Sequence, residues 1–103
     1  MNLEKLEKRE IPEPGEIYKH FKGGKYIIIA VSRDCDDAEN PKGRLVIYQQ
    51  IYRGKNYPEG TIWHKSLDKF CEYKIFKKDI SYGDITYKAK QKVKKFTLLG
   101  KLA

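Results

Sequence analysis

The chain is poor in the residues that usually announce chemistry or export. It has one tryptophan, one methionine and four prolines among 103 residues. Its two cysteines, Cys35 and Cys71, have no CxxC spacing. The longest apolar run, Tyr26 to Val31, falls far short of the ~20 residues that cross a bilayer as a helix. The opening MNLEKLEKRE is charged and has no apolar core, so neither a signal peptide nor a membrane span is expected there. Without an export signal, two thiols are expected rather than one disulfide, and the expected compartment is the cytoplasm. Gly23-Gly24 lacks the rest of a phosphate-binding loop. Ser32, Ser66 and Ser81 lie in no nucleophile elbow, and no cofactor motif is present. The expectation is therefore a protein that is not an enzyme and carries no cofactor or metal.

Charge and tyrosine are abundant instead. Residues 1–52 are balanced, nine basic against nine acidic, while residues 53–103 carry thirteen basic against five acidic, so the whole excess of +8 lies in the second half. That asymmetry points to an anionic partner or to a solubility device. Eight tyrosines, four phenylalanines and the tryptophan argue against disorder, because large rings can offset the ordering entropy of a polar chain. A length of 103 residues suits one domain with one modest core.

Periodicity and turn residues predict a mainly β chain. Residues 2–9 are expected to form a short helix with Asn2 as cap, stopped by Pro12, Pro14 and Gly15, so 1–12 is an extension and 13–103 the single domain. Strands are expected over 16–22 and 25–33, joined by the Lys22-Gly23-Gly24-Lys25 turn, then over 44–53 and 61–65. Ser66 is expected to cap a helical turn through Phe70. Strands over 71–77 and 84–93 would meet around Tyr82-Gly83, and 94–99 would close the sheet or pack beneath it. Many short strands separated by turns suggest a small antiparallel barrel or roll, a form that removes exposed edges.

Two side-chain sets stand out as candidate sites. By the two-residue period Tyr18, His20 and Lys22 share one face of the first strand, and Tyr48, Trp63 and Lys65 come from strands that could line the same groove. Such a set stacks a flat ligand while Lys and His hold a phosphate or carboxylate. The plainer reading makes Tyr48 and Trp63 core rings and His20 structural. The second set is Lys88, Lys90, Lys92 and Lys94, followed by Lys95. On one strand the four would form a stripe about 20 Å long at ~3.3 Å per residue, suited to a phosphate backbone. The plainer reading is a solvated edge strand guarded by lysine. Asp34, Asp36, Asp37 and Glu39 lack the glycine and distal Glu of a calcium loop, and His20, His64, Cys35 and Cys71 lack zinc-ligand spacing.

Pro14-Gly15, Tyr18, His20, Lys22-Gly23 and Tyr26, then Val46-Ile47-Tyr48 with Ile51, then Trp63, Lys65, Phe70 and Glu72, resemble a bacterial and phage family called domain of unknown function 1653. Lys95-Phe96 is similar to the family's short closing Arg-Phe, so the resemblance spans about residues 14–98. Lys65-Ser66 stands where the family has Arg-Pro, Asp34-Cys35-Asp36-Asp37 replaces its His-Ser-Glu-Thr loop, and Tyr73 to Lys94 is longer than usual. A lysine does not reproduce the planar fork of an arginine. The resemblance implies an SH3-like barrel and brings no established activity.

These readings converge on a small non-enzymatic binding module with an aromatic and basic groove for a nucleic acid or nucleotide-like ligand. The alternative is a protein-interaction adaptor, phage-encoded by the resemblance, that docks on an acidic protein. A hydrolase using His20 is the weakest of the three. The sequence leaves the oligomeric state open.

Overall fold

Glycine punctuates the chain where the first hairpin turns back. The computed structural model describes residues 11–102, and the helix expected over 2–9 lies outside them. β1 (Glu16–His20) pairs antiparallel with β2 (Lys25–Ser32) across a turn in which Gly23 has φ +111°. Gly24 serves a different need: a Cβ there would lie 2.6 Å from the Tyr52 ring. The turn thus uses one glycine for a left-handed backbone and the next for close approach.

β2 holds an apolar run without alternation, and a bulge resolves it. The register shifts between Ile28 and Ala30, leaving Ile29 as the extra residue. Tyr26 and Ile28 therefore share a face with Val31, three residues on, opposite Gln50, Tyr48 and Val46 of β3 (Leu45–Gln50). β3 alternates cleanly, with Val46, Tyr48 and Gln50 buried. β4 (Ile62–Ser66) sets Trp63 against Tyr48 and Lys65 against Val46, so both reach the core face. Ser66 then caps α1 (Leu67–Phe70), its Oγ accepting from the Lys69 N–H at 3.3 Å. This single turn drops Leu67 and Phe70 over the core face.

The chain returns to β1 only at β9 (Phe96–Lys101), giving the sheet order β4-β3-β2-β1-β9. Of the expected barrel or roll, the mainly β antiparallel sheet is found but a closed barrel is not, because β4 and β9 are the two edges and do not pair. The sheet curls over one core instead, built from Tyr18, Ile28, Val46, Tyr48, Leu67, Phe70 and Phe96. Phe70 and Phe96 stack at 4.2 Å, so α1 and β9 are joined through their rings.

Between α1 and β9 the chain makes an excursion of two small ladders. β5 (Tyr73–Ile75) pairs with β8 (Lys92–Lys94), and β6 (Ile80–Tyr82) with β7 (Ile85–Tyr87). The turn falls at Gly83, φ +59°, as its sequence suggests, but the strands expected over 71–77 and 84–93 are each shorter. The second is cut by a turn in which Lys90 has φ +68° and Gln91 Oε1 accepts from the Lys88 N–H at 2.9 Å. Phe76, Tyr82 and Tyr87 cluster on Phe21 of the first turn, with Phe76 and Tyr87 stacked at 4.6 Å. The Tyr87 hydroxyl donates to the Phe21 carbonyl at 2.6 Å. The backbone N–H of Lys95 donates to the Glu72 carbonyl at 3.0 Å, closing the base of the excursion. Among the described residues no helix is long and apolar enough to cross a membrane.

Candidate functional site

The alternation of β1 puts His20 on the same face as Tyr18, directly opposite Phe96 of β9. The imidazole meets the Phe96 ring edge to face at 4.9 Å. Its Nδ1 accepts from the backbone N–H of Lys22 at 3.1 Å, which leaves the ring proton on Nε2. Burial, then the ammonium groups of Lys65, Lys22 and Lys95, push the His20 pKa down from 6.5 to about 4. At neutral pH the ring is therefore an uncharged donor. With Nδ1 engaged as an acceptor, the imidazole has none of the carboxylate orientation that activates a catalytic histidine.

Lys65 arrives from the other side of the curled sheet, with Nζ 5.4 Å from the centre of the Phe96 ring. Burial, then the charge of Lys95, lowers its pKa, against the opposing field of Glu72. Glu72 itself binds Lys95, Oε2 to Nζ at 3.1 Å. Lys65 has no ion pair among the described residues. A half-buried ammonium held on an aromatic face, with an imidazole N–H on the same ring, makes a pair of donors supported from below by the core.

Phe96, 5% exposed, is a core ring that supports these two donors and offers no stacking face of its own. His20, Tyr26, Tyr48 and Phe70 all contact its ring, at 4.9, 6.0, 5.6 and 4.2 Å between centroids. Tyr26 completes one wall: its hydroxyl bonds that of Tyr52 at 2.9 Å. Burial and that bond raise the Tyr26 pKa, so the phenol stays protonated. Trp63 lies further along the same face, half-buried, with Tyr57 edge-on at 4.7 Å.

The structure divides the expected groove. His20, Trp63 and Lys65 do share the core face and keep exposure. Tyr18 and Tyr48 are 8% and 6% exposed, so they are core rings and offer no stacking face. The reason is α1, whose Phe70 packs on both of them. Lys22 lies past the end of β1, with its ammonium 5.9 Å from the Phe21 ring and 5.7 Å from Tyr82, and reaches His20 through its field and backbone.

The four-lysine stripe does not exist as one strand. Lys88 stands 3.6 Å from Asp79, and Lys90 sits in the left-handed turn. Only Lys92 and Lys94 remain side by side, on β8, facing the same way as the exposed Ile75 and Tyr73. Lys92 caps the Tyr73 ring at 4.6 Å.

Four residues that sequence reasoning passed over shape the site: Gln50, Tyr52, Phe96 and, as a wall, Tyr26. Gln50 is only 2% exposed. Its Oε1 accepts from the Trp63 indole N–H at 3.2 Å, while its Nε2 donates to the Tyr52 and Tyr57 carbonyls at 3.1 and 2.9 Å. An amide buried at the end of an alternating apolar strand was the available signal, since such a group needs a full set of partners. Of the other sets, Asp34, Cys35 and Asp36 bring ligand atoms within 4.8 Å of one another, all exposed, and Asp34 Oδ1 accepts from the Asp36 N–H at 2.9 Å within the turn. His64 pairs with Ile47, on the sheet face away from His20.

Comparison with curated proteins and with solved structures gives no match. A family model described as protein of unknown function (DUF1653) matches residues 16–81. The matched segment runs from the start of β1 into β6 and takes in His20, Tyr26, Gln50, Trp63, Lys65 and Glu72, and it stops short of Lys95 and Phe96. The chain belongs to the DUF1653 family.

Proposed function

We propose that this protein is a non-enzymatic cytoplasmic binding module for an anionic partner with a flat ring, a nucleic acid or nucleotide-like ligand. One observation carries the reading: the Lys65 ammonium is half-buried on the Phe96 ring, beside the neutral imidazole of His20, with no carboxylate among the described residues paired to it. Desolvating a cation without a partner is unfavourable, and an incoming phosphate removes that penalty. The sheet order, with a helical turn ahead of the last strand, suits an open SH3-like roll whose cations gather at one mouth. In this reading Lys65 and Lys22 supply charge, His20 donates through Nε2, and Trp63 offers the aromatic face. Lys92 and Lys94, with Tyr73, extend the contact for a longer strand of nucleic acid.

The test is titration of the single tryptophan's fluorescence with AMP and with a short single-stranded oligonucleotide at low salt. The expected result is saturable quenching that falls steeply with salt for the oligonucleotide, and about tenfold weaker binding for Lys65→Gln. Absence of quenching by either ligand, or binding unchanged in Lys65→Gln, overturns the reading.

A second reading is a protein-interaction adaptor for an acidic partner. The observation that favours it is the open edge of β9, where Leu98 and Leu99 are 48% and 51% exposed beside Lys101. Such an edge accepts an added strand. Co-purification of one protein that survives nuclease and is lost when Leu98, whose N–H faces the open edge, becomes Pro separates this reading from the first.

A further inference from the structure

The ladder between β2 and β3 ends at Ser32 and Leu45, so the next residues, Arg33 and Arg44, come out side by side. Both line one cleft of about 390 Å³. Like charges at neighbouring strand positions repel. Neither arginine has an ion pair among the described residues. Arg33 spends an Nη1–H on the Ala38 carbonyl at 2.8 Å. The Arg44 Nε is shut off from solvent and has no hydrogen-bond partner among the described residues. Among the described residues of the cleft wall the one acid, Glu13, is committed to Lys101, Oε2 to Nζ at 3.0 Å. Much of the rest of the cleft wall is apolar, with Ile11, Pro12, Pro14 and Val31.

We propose that this cleft is a second binding site, separate from the Lys65 mouth, for a small organic carboxylate with an apolar body. The carboxylate sits between Arg33 and Arg44 and accepts from Nη–H groups of both guanidiniums, a planar donor set that a lysine does not reproduce. The apolar body lies on the two prolines and Val31. A purely inorganic anion satisfies the charge but leaves that wall wet, so the site discriminates for an amphipathic acid over phosphate.

The test uses the full chain and benzoate as probe, read by ¹H–¹⁵N NMR at the Arg44 Nε–H and at the Ala30 and Val31 amides. Benzoate is expected to shift these signals saturably, benzamide to leave them unmoved, and phosphate to bind about tenfold more weakly than benzoate. Arg44→Gln and Arg44→Lys are expected to weaken benzoate binding about tenfold, whereas Lys65→Gln leaves it unchanged. Equal shifts with benzamide, or benzoate binding that survives in a folded Arg44→Gln protein, overturn the proposal. So does benzoate binding that emerges only in the full-length Glu7→Gln/Glu10→Gln variant, because the cleft is then a seat for the chain's own leading glutamates.

Discussion

The backbone N–H of Lys22 donates to Nδ1 of His20 at 3.1 Å, so the turn that ends β1 also sets the tautomer of its last side chain. That bond favours the neutral ring, since a protonated imidazole has no lone pair at Nδ1 to accept it. Burial and three ammonium groups act in the same direction and bring the pKa to about 4. The His20 ring signals are expected to titrate near that value, and upward of it in Lys65→Gln, where one positive field is gone. The folded pKa lies below the unfolded one, so between about pH 6.5 and 4 the unfolded chain binds the extra proton. The His20 contribution to stability is present above pH 6.5 and falls away as the pH drops toward 4. Urea midpoints across that window check it, and a ring that titrates at or above 6.5 in the folded protein contradicts it.

Phe96 holds α1, β1 and the mouth of the site in one contact set. Its ring stacks on Phe70, meets His20 edge-on and lies under the Lys65 ammonium. Phe96→Ala is expected to cost about 3–5 kcal/mol in urea unfolding, the usual range for emptying an aromatic core position. Phe96→Leu keeps most of the volume and is expected to cost less, yet it removes the aromatic face beneath Lys65. A Leu variant that stays folded and still loses oligonucleotide binding separates the two roles of the ring.

Much of this arrangement is legible in the sequence because strands report their own faces. The alternation of Leu45 to Gln50 and of Tyr18 with His20 places those side chains on the sheet faces they occupy, and Ser66 announces the cap of α1. Curvature is less visible. The bulge at Ile29 hides in a uniform apolar run, and it changes which residues of β2 face Tyr48 and Val46. The lysines at 88, 90, 92 and 94 look like a ladder because period two is satisfied on paper. The chain breaks it with the left-handed Lys90 and with the Asp79 carboxylate, which accepts from the Ala89 N–H at 2.8 Å. Closure is the hardest feature to read, since it depends on how far the excursion carries the chain before Phe96 returns to β1. For the same reason the burial of Tyr18 and Tyr48 escapes a strand-by-strand reading: Phe70, from outside the sheet, covers them.

Gly24 and Tyr52 form a second close pair. A methyl group at Gly24 would stand 2.6–2.7 Å from the Tyr52 ring and hydroxyl. Gly24→Ala is therefore expected to displace Tyr52 and break its hydroxyl bond to Tyr26, costing about 1–3 kcal/mol as overpacking. Tyr52→Ala removes the obstacle, so the double variant is expected to lose clearly less than the sum of the two single changes. Additive losses in urea unfolding mean that the glycine is needed for its backbone instead.

The excursion of residues 72–95 is tied to the sheet at its base and at one point of its body. The base is the Lys95–Glu72 pair, bonded through backbone and side chains at 3.0 and 3.1 Å. The body is held by the Phe21 ring, clasped by Phe76, Tyr82 and Tyr87, and by the Tyr87 hydroxyl on the Phe21 carbonyl at 2.6 Å. A segment closed at its base can open without unpairing β1 from β9, so it should behave as its own cooperative unit. Tyr87→Phe keeps the ring stack and removes only that hydrogen bond, worth about 1 kcal/mol. Amides of β6 and β7 are expected to exchange several-fold faster with solvent in this variant, while those of Val46 and Tyr48 keep their protection. If the β3 amides accelerate in parallel, the excursion and the sheet unfold together, and the Phe21 contact is part of one indivisible core.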